Sequence, residues 1–190
     1  MIISGYAGIG KSWLAHNFPN VIDLESTPFD KDWDRYAKCA KHYHNQGYTV
    51  LTSCHKEIRE RLCNFPDRVL FEERITVVPD ISDKELYFRR YMLRGDSDQF
   101  IMTQMANWEN WLNEKKNRIL TESWIVMNPG ETLYDTILRL SKESPRMFCS
   151  YDNCPVPLCK EVPCINPLAK IVENWNINRK LNRRNSYETV

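Results

Sequence analysis

No charge of either sign dominates this chain: 26 Lys and Arg stand against 25 Asp and Glu, so the overall field is weak and exerts no general pull on nucleic acid or membrane. Any basic site must therefore be local. No apolar run approaches the length of a membrane span, and the amino terminus starts directly on a short apolar strand, without the charged and hydrophobic regions of a signal peptide. A soluble, cytoplasmic protein is the expectation. The seven cysteines do not make a disulfide framework: the number is odd, and Cys39, Cys54 and Cys63 lie in segments that read as ordinary helix or strand, where reduced packing residues are expected. No internal repeat is visible apart from Cys149, Cys154, Cys159 and Cys164, which recur every fifth residue through a Pro-rich stretch.

What is present alternates between strand and helix patterns, over a length of 190 residues that suits one α/β domain with a small appendage. Met1 to Ser4 is a short apolar strand running into a glycine loop, and Lys11 to Phe18 reads as a helix stopped by Pro19. Val21 to Leu24 is a second strand, with Asp23 and Glu25 at its end. Trp33, Tyr36, Ala37, Ala40 and Tyr43, three or four apart, predict a helix from about Lys31 to Gln46, closed by Gly47. Tyr48 to Thr52 is the third strand, and a helix through Ile58 and Leu62 follows it. Val69 to Phe71 and Ile75 to Val78 are both strand-like, the second being preferred for the sheet because Pro79 and Asp80 end it. Ser82 is the expected cap, with Glu85 as its capping-box partner, of a helix from Asp83 to Arg94. Gly95 and Asp96 separate it from a second helix, Asp98 to Asn117, and the pair (about 82–117) reads as a lid hairpin over a site. Trp124 to Met127 is the last strand, and Asn128-Pro129-Gly130-Glu131 turns into a helix from Thr132 to Leu140. The alternation implies a parallel sheet with helices on both faces over residues 1–140. Residues 141–190 read as a Pro/Cys-rich, basic appendage with one short helix around Leu168 to Trp175.

The run Gly5-Tyr-Ala-Gly8-Ile9-Gly10-Lys11-Ser12 has the Walker A spacing and stands between a strand and a helix, the context that motif requires. Its glycines let successive N–H groups turn inward toward phosphate oxygens. Gly5, Gly8, Ile9, Gly10, Lys11, Ser12 and Trp13 are thus candidates for holding ATP, with Lys11 on the β and γ phosphates and the Ser12 hydroxyl on Mg²⁺. Asp23 ends a strand where a parallel sheet forms its crevice, so it either holds a magnesium-bound water or caps the next turn; Asp80 is the second candidate for the acidic partner. His55, Lys56 and Arg59 either face an anionic acceptor or begin a solvated helix. Arg90 and Arg94 lie four apart on one helix face, suited to negative charge on a transferring phosphoryl group or simply to solvent.

These segments together resemble small P-loop kinases: gluconate and shikimate kinases and nucleoside monophosphate kinases. The resemblance is nearest to uncharacterised P-loop kinase-like proteins of phages and gut bacteria, with Asp23-Leu24-Glu25 after the second strand and Ser53-Cys54-His55-Lys56-Glu57-Ile58-Arg59 after the third. It implies a P-loop NTPase three-layer fold over about Met1 to Leu140. It also implies acceptor or metal binding by Asp23 and Glu25, acceptor binding by His55 and Arg59, phosphate contacts by Arg90 and Arg94, and an adenine-cupping loop that includes Asn128 and Gly130. The glycine-rich acceptor loop of shikimate kinase and a base-reading motif of a monophosphate kinase are both missing, so the resemblance does not identify the acceptor.

The resulting expectation is an ATP- and magnesium-dependent kinase acting on a small acceptor, a nucleotide or nucleoside. The alternatives are a nucleotide-driven ATPase or switch with a protein or nucleic-acid partner, or a polynucleotide 5′-hydroxyl kinase. Arg179, Lys180, Arg183 and Arg184 form a short basic tail suited to a polyanion. No Asn-Lys-x-Asp run for guanine is present, which favours ATP over GTP. Four thiolates suffice for a closed zinc site, but the uniform spacing of the late cysteines differs from paired zinc knuckles, and no zinc is expected there.

Overall fold

Strands in this chain are short apolar runs with little polar alternation, as expected where both faces of a sheet are covered. A computed structural model describes residues 1–63, 74–119, 123–142, 168–169 and 171–176. It places β1 (Ile2–Gly5), β2 (Val21–Asp23), β3 (Thr49–Ser53), β4 (Arg74–Val78) and β5 (Ser123–Val126) in one sheet of order β2-β3-β1-β4-β5. Every pairing is parallel, with Ile3 opposite Leu51 and Ile75, and Ile75 opposite Ser123. The expected parallel α/β sheet is therefore present.

Side-chain alternation divides the strands between two cores. Ile2 and Val50 pack with Tyr36, Ala37 and Ala40 of α2 (Trp33–Asn45) and with Ile58 and Leu62 of α3 (Lys56–Cys63). Ile3, Leu51, Ile75 and Val77 join the other core with Leu14 of α1 (Lys11–Asn17). Between β4 and β5 the chain forms α4 (Lys84–Arg94), α5 (Asp98–Trp111) and the single turn α6 (Glu114–Asn117); α7 (Leu133–Ser141) follows β5 and sends Leu133, Ile137 and Leu140 into the second core. Residues 168–169 and 171–176 are helical, and Leu168, Ile171 and Trp175 are buried there as well, with Trp175 stacked on Phe18 at 4.5 Å. That part of the expected appendage belongs to the main core.

Two local expectations are corrected. The predicted helix from Asp98 to Asn117 is broken, because the Asn113 side chain accepts a bond from the Lys116 amide and starts a new turn. Ser82 does not cap α4: Asp80 accepts from the Ser82 amide and hydroxyl at 2.8 and 2.6 Å, which inserts a 3₁₀ turn at Ile81–Asp83 before the helix. Val69 to Phe71, the late cysteine quartet and the basic tail lie outside the described residues. No helix among the described residues is long and apolar enough to cross a membrane.

Candidate functional site

The glycine loop joins β1 to α1 at the centre of the sheet. Gly10 has φ 104°, a left-handed conformation that side-chain-bearing residues rarely adopt, and it is the residue from which α1 starts. Lys11 folds over the loop, and its Nζ donates to the carbonyls of Gly5 and Tyr6 at 3.0 and 3.1 Å. Ser12 Oγ donates to Asp23 Oδ2 at 2.7 Å, so the first turn of α1 meets the end of β2. Asp23 Oδ1 is buried and has no hydrogen-bond partner. Burying half a carboxylate without a partner is costly unless something positive can meet it.

Tyr36 holds the neighbouring strand ends in place. Its hydroxyl donates to the Leu24 carbonyl at 2.5 Å and accepts from the Ser53 amide at 3.0 Å, tying the end of β2 to the end of β3. Just beyond, the Ser53 hydroxyl meets His55 Nδ1 in a short hydrogen bond, and the His55 ring leans on Trp33 at 5.2 Å. Burial lowers the pKa of His55 below its ordinary value, with Glu57 opposing the shift and the charge of Lys11 adding to it. His55 is thus biased toward its neutral form.

Arg59 is 3% exposed, and its guanidinium donates to the Cys54 carbonyl at 3.0 Å and the Asn117 carbonyl at 2.9 Å. It also lies over the Trp124 ring at 5.2 Å. These contacts tie α3, α6 and β5 together.

Helix α4 sits directly on the glycine loop. Tyr91 donates its hydroxyl to the Ala7 carbonyl at 3.0 Å, and an added Cβ on Gly8 would come within 2.9 Å of the Tyr91 ring. Arg90 stacks over Tyr87 at 4.8 Å and Arg94 over Tyr91 at 5.4 Å, so the two tyrosines carry both guanidinium groups beside the loop. Arg94 is paired with Asp96 at 2.6 Å, whereas Arg90 Nη1 is buried with no hydrogen-bond partner. Arg89 points elsewhere and pairs with Glu85 at 3.0 Å.

Together these groups enclose a cavity of about 1160 Å³. Of the residues singled out from sequence, Gly5, Gly8, Gly10, Lys11, Ser12, Trp13, Asp23, Glu25, His55, Arg59, Arg90 and Arg94 line it. Ile9, Asn128 and Gly130 do not. Ile9 is 1% exposed within the core, and its carbonyl accepts from the Leu133 amide at 2.8 Å. Asn128 bonds to Glu131 through both its amide and its side chain, and the Gly130 amide donates to Asp83 at 2.9 Å, so this turn is stitched to the start of α4. Asp80 is a turn cap, and the Ser82 bonds lower its pKa. Sequence reading missed Ser53, Tyr91 and Asp96 and the far wall formed by Phe100, Gln104, Trp111 and Trp124. The four-residue spacing of Tyr87 and Tyr91, matching that of Arg90 and Arg94, was the available signal for Tyr91.

Among the described residues no three His, Cys, Asp or Glu side chains gather as a metal cage. Comparison with protein-family models, with curated proteins and with solved structures returns no significant match.

Proposed function

We propose that the protein is an ATP- and magnesium-dependent phosphotransferase of the P-loop type that moves the γ-phosphoryl group to a small acceptor, a nucleotide or nucleoside. The observation that carries this reading is the contact of Ser12 with Asp23 beside the glycine loop, in a cavity that Lys11, Arg90 and Arg94 also line. Magnesium fits the donor set: a hydroxyl and a carboxylate oxygen meet and the second carboxylate oxygen is buried without a partner, a small oxygen set of the kind that leaves the ion's other positions to waters and phosphate oxygens. Bound there by Ser12 and Asp23, it would neutralise charge on the phosphates.

The chain's own residues then have separable tasks. Gly5, Gly8 and Gly10 curl the backbone around the phosphates, with Ile9 holding the loop on the core and Trp13 beside it. Lys11, whose ammonium already spans two loop carbonyls, supplies a positive charge within reach of the β and γ phosphates. Arg90 and Arg94 bring charge from the lid, where stabilising a loose transition state is mostly positioning and electrostatics. His55 and Glu25 border the place beside the glycine loop where the reacting end of the acceptor would lie, and Arg59 fixes the adjoining wall through its carbonyl bonds. Asn128 and Gly130 lie off the cavity, on the turn that follows β5, and remain the candidate edge for the adenine.

The test is ATP consumption by the purified protein with magnesium against a panel of nucleosides, nucleotides, sugar acids and oligonucleotides. Stimulation by a nucleoside or nucleotide is expected. Stimulation only by a polyanion or a protein would favour the switch reading.

A further inference from the structure

The sheet order separates two chemically different ends of the cavity. Asp23 is on β2 at one edge and Trp124 on β5 at the other, four strand spacings or roughly 19 Å apart. The Asp23 end, with Lys11 and Ser12, is charged. The Trp124 end is aromatic: Phe100, Gln104 and Trp111 occupy positions i, i+4 and i+11 of the lid helix α5, on one face, and all line the cavity with Trp124. Trp124 is covered on one side by the buried Arg59 guanidinium. The Gln104 amide makes no hydrogen bond among the described residues, and Trp124 Nε1 is buried without a partner. Flat apolar faces combined with an unengaged amide suit a ligand that is planar, aromatic and edged with donors and acceptors. The ATP phosphates at the glycine loop need none of this.

We propose that Phe100, Gln104, Trp111 and Trp124 form a nucleobase subsite and that it takes the base of the phosphoryl acceptor, a nucleoside or nucleoside monophosphate. This rests on the kinase reading above and goes further by giving the acceptor's base a place. The acceptor's sugar end then runs back toward the glycine loop, where the Arg90 guanidinium borders the same cavity and would meet a monophosphate. Gln104 reads the base edge, and the aromatic rings supply stacking.

The test uses the full chain and equilibrium binding of AMP, GMP, CMP, UMP and dTMP, their nucleosides, ribose 5-phosphate as the baseless control, and Mg–ATP. At least one base-bearing ligand should bind tighter than ribose 5-phosphate. Gln104→Ala, at a partly exposed helix position where alanine favours the helix, should weaken that ligand by about five- to tenfold, the equivalent of a lost hydrogen bond. Trp124→Phe, which keeps the ring and removes Nε1, should change the ranking of the bases. Neither variant should alter ribose 5-phosphate or Mg–ATP binding. Tightest binding by nucleosides assigns a hydroxyl acceptor, and by monophosphates a phosphate acceptor; either supports the subsite. Ribose 5-phosphate binding as tightly as every base-bearing ligand, or base ranking untouched by both variants, would overturn it. Parallel loss of Mg–ATP would place the donor's base there and overturn it too. Failure of the kinase reading looks different: wild type and Lys11→Ala would bind Mg–ATP equally, whatever the monophosphates do.

Discussion

Gly8→Ala probes the seat of α4 on the glycine loop, and three other glycines provide its controls. Gly8 has φ 79°, Gly130 also 79° and Gly95 77°, so an alanine at any of the three pays nearly the same left-handed penalty, about 1–2 kcal/mol. They differ in what a Cβ would meet. At Gly95 and Gly130 nothing lies within 4 Å, whereas at Gly8 the new carbon would stand 2.9 Å from Tyr91 Cε1 and 3.5 Å from two atoms of the Tyr87 ring. Both rings are fully buried, Tyr91 edge-on to Tyr87 and Phe100, and Tyr87 in turn against Trp108, so neither can swing away freely. Overpacking of this kind costs about 1–3 kcal/mol more. Urea midpoints, converted with a shared slope, should therefore show Gly8→Ala losing about 2–5 kcal/mol and Gly95→Ala and Gly130→Ala about 1–2. The fourth glycine, Gly10, has φ 104° with nothing within 4 Å, and its alanine variant reports backbone strain at the loop without the α4 contact. A shifted Tyr91 would also carry Arg94 off the cavity, so residual turnover should fall further than stability alone explains. Equal destabilisation at Gly8 and Gly130 would refute the seating of α4 on the loop.

Asp23→Asn keeps shape and removes charge, so it should raise the magnesium concentration needed for half-maximal turnover by about tenfold or more; an unchanged magnesium titration would remove Asp23 from the metal site. If the proposed contact of Arg94 forms mainly in the transition state, Arg94→Ala should lower kcat roughly tenfold to a hundredfold with little change in ATP affinity; loss of ATP affinity with kcat intact would make Arg94 a ground-state binder. Glu131 is the clearest pH-dependent group: burial pushes its pKa up, but bonds from Arg139, the Asn128 amide and Thr136 outweigh that and hold it at about 2. A depressed carboxylate stabilises the fold above its ordinary value of 4.5, and the contribution drains away as pH falls toward 2. Glu131→Gln should therefore be less stable than wild type by about 1–3 kcal/mol at pH 7, with the gap closing between pH 4.5 and 2 in urea titrations; a gap independent of pH would contradict this.

The five strands were readable because each is a short apolar run cut off by Gly, Pro or a polar strand end, and buried parallel strands leave that mark without any tertiary information. The glycine loop was readable because the motif fixes both spacing and context. Side-chain direction was less so. Arg59 read either as a cation facing an acceptor or as part of a solvated helix start; its position beside Ile58 and one turn before Leu62 sets it on the edge of the buried face of α3, where it lines the cavity while bonding to two backbone carbonyls. The start of α4 was misjudged because Asp80 and Ser82, two residues apart, are both cap-forming types, and it is Asp80 that caps an intervening 3₁₀ turn while α4 starts after Asp83 with no side-chain cap. The stacking of Trp175 on Phe18 joins residues 157 positions apart and leaves no local signature. The aromatic wall was hidden for a similar reason: Phe100, Gln104 and Trp111 share a helix face, but only the fold brings that face opposite Trp124 and Arg59.

The central claim is that the glycine loop and Lys11 hold a nucleotide whose terminal phosphoryl group is transferred. Its most direct measurement follows label from γ-labelled ATP into product, with magnesium and the acceptor panel, for wild type and Lys11→Ala, both checked for folding by their urea transitions. Lys11 lies on the surface of the cavity and bonds to loop carbonyls, so the variant should fold. Wild type should transfer label to a nucleoside or nucleotide, and Lys11→Ala should lose about a hundredfold or more of that transfer. Equal label transfer by the two proteins, or none by wild type with any acceptor, would contradict it.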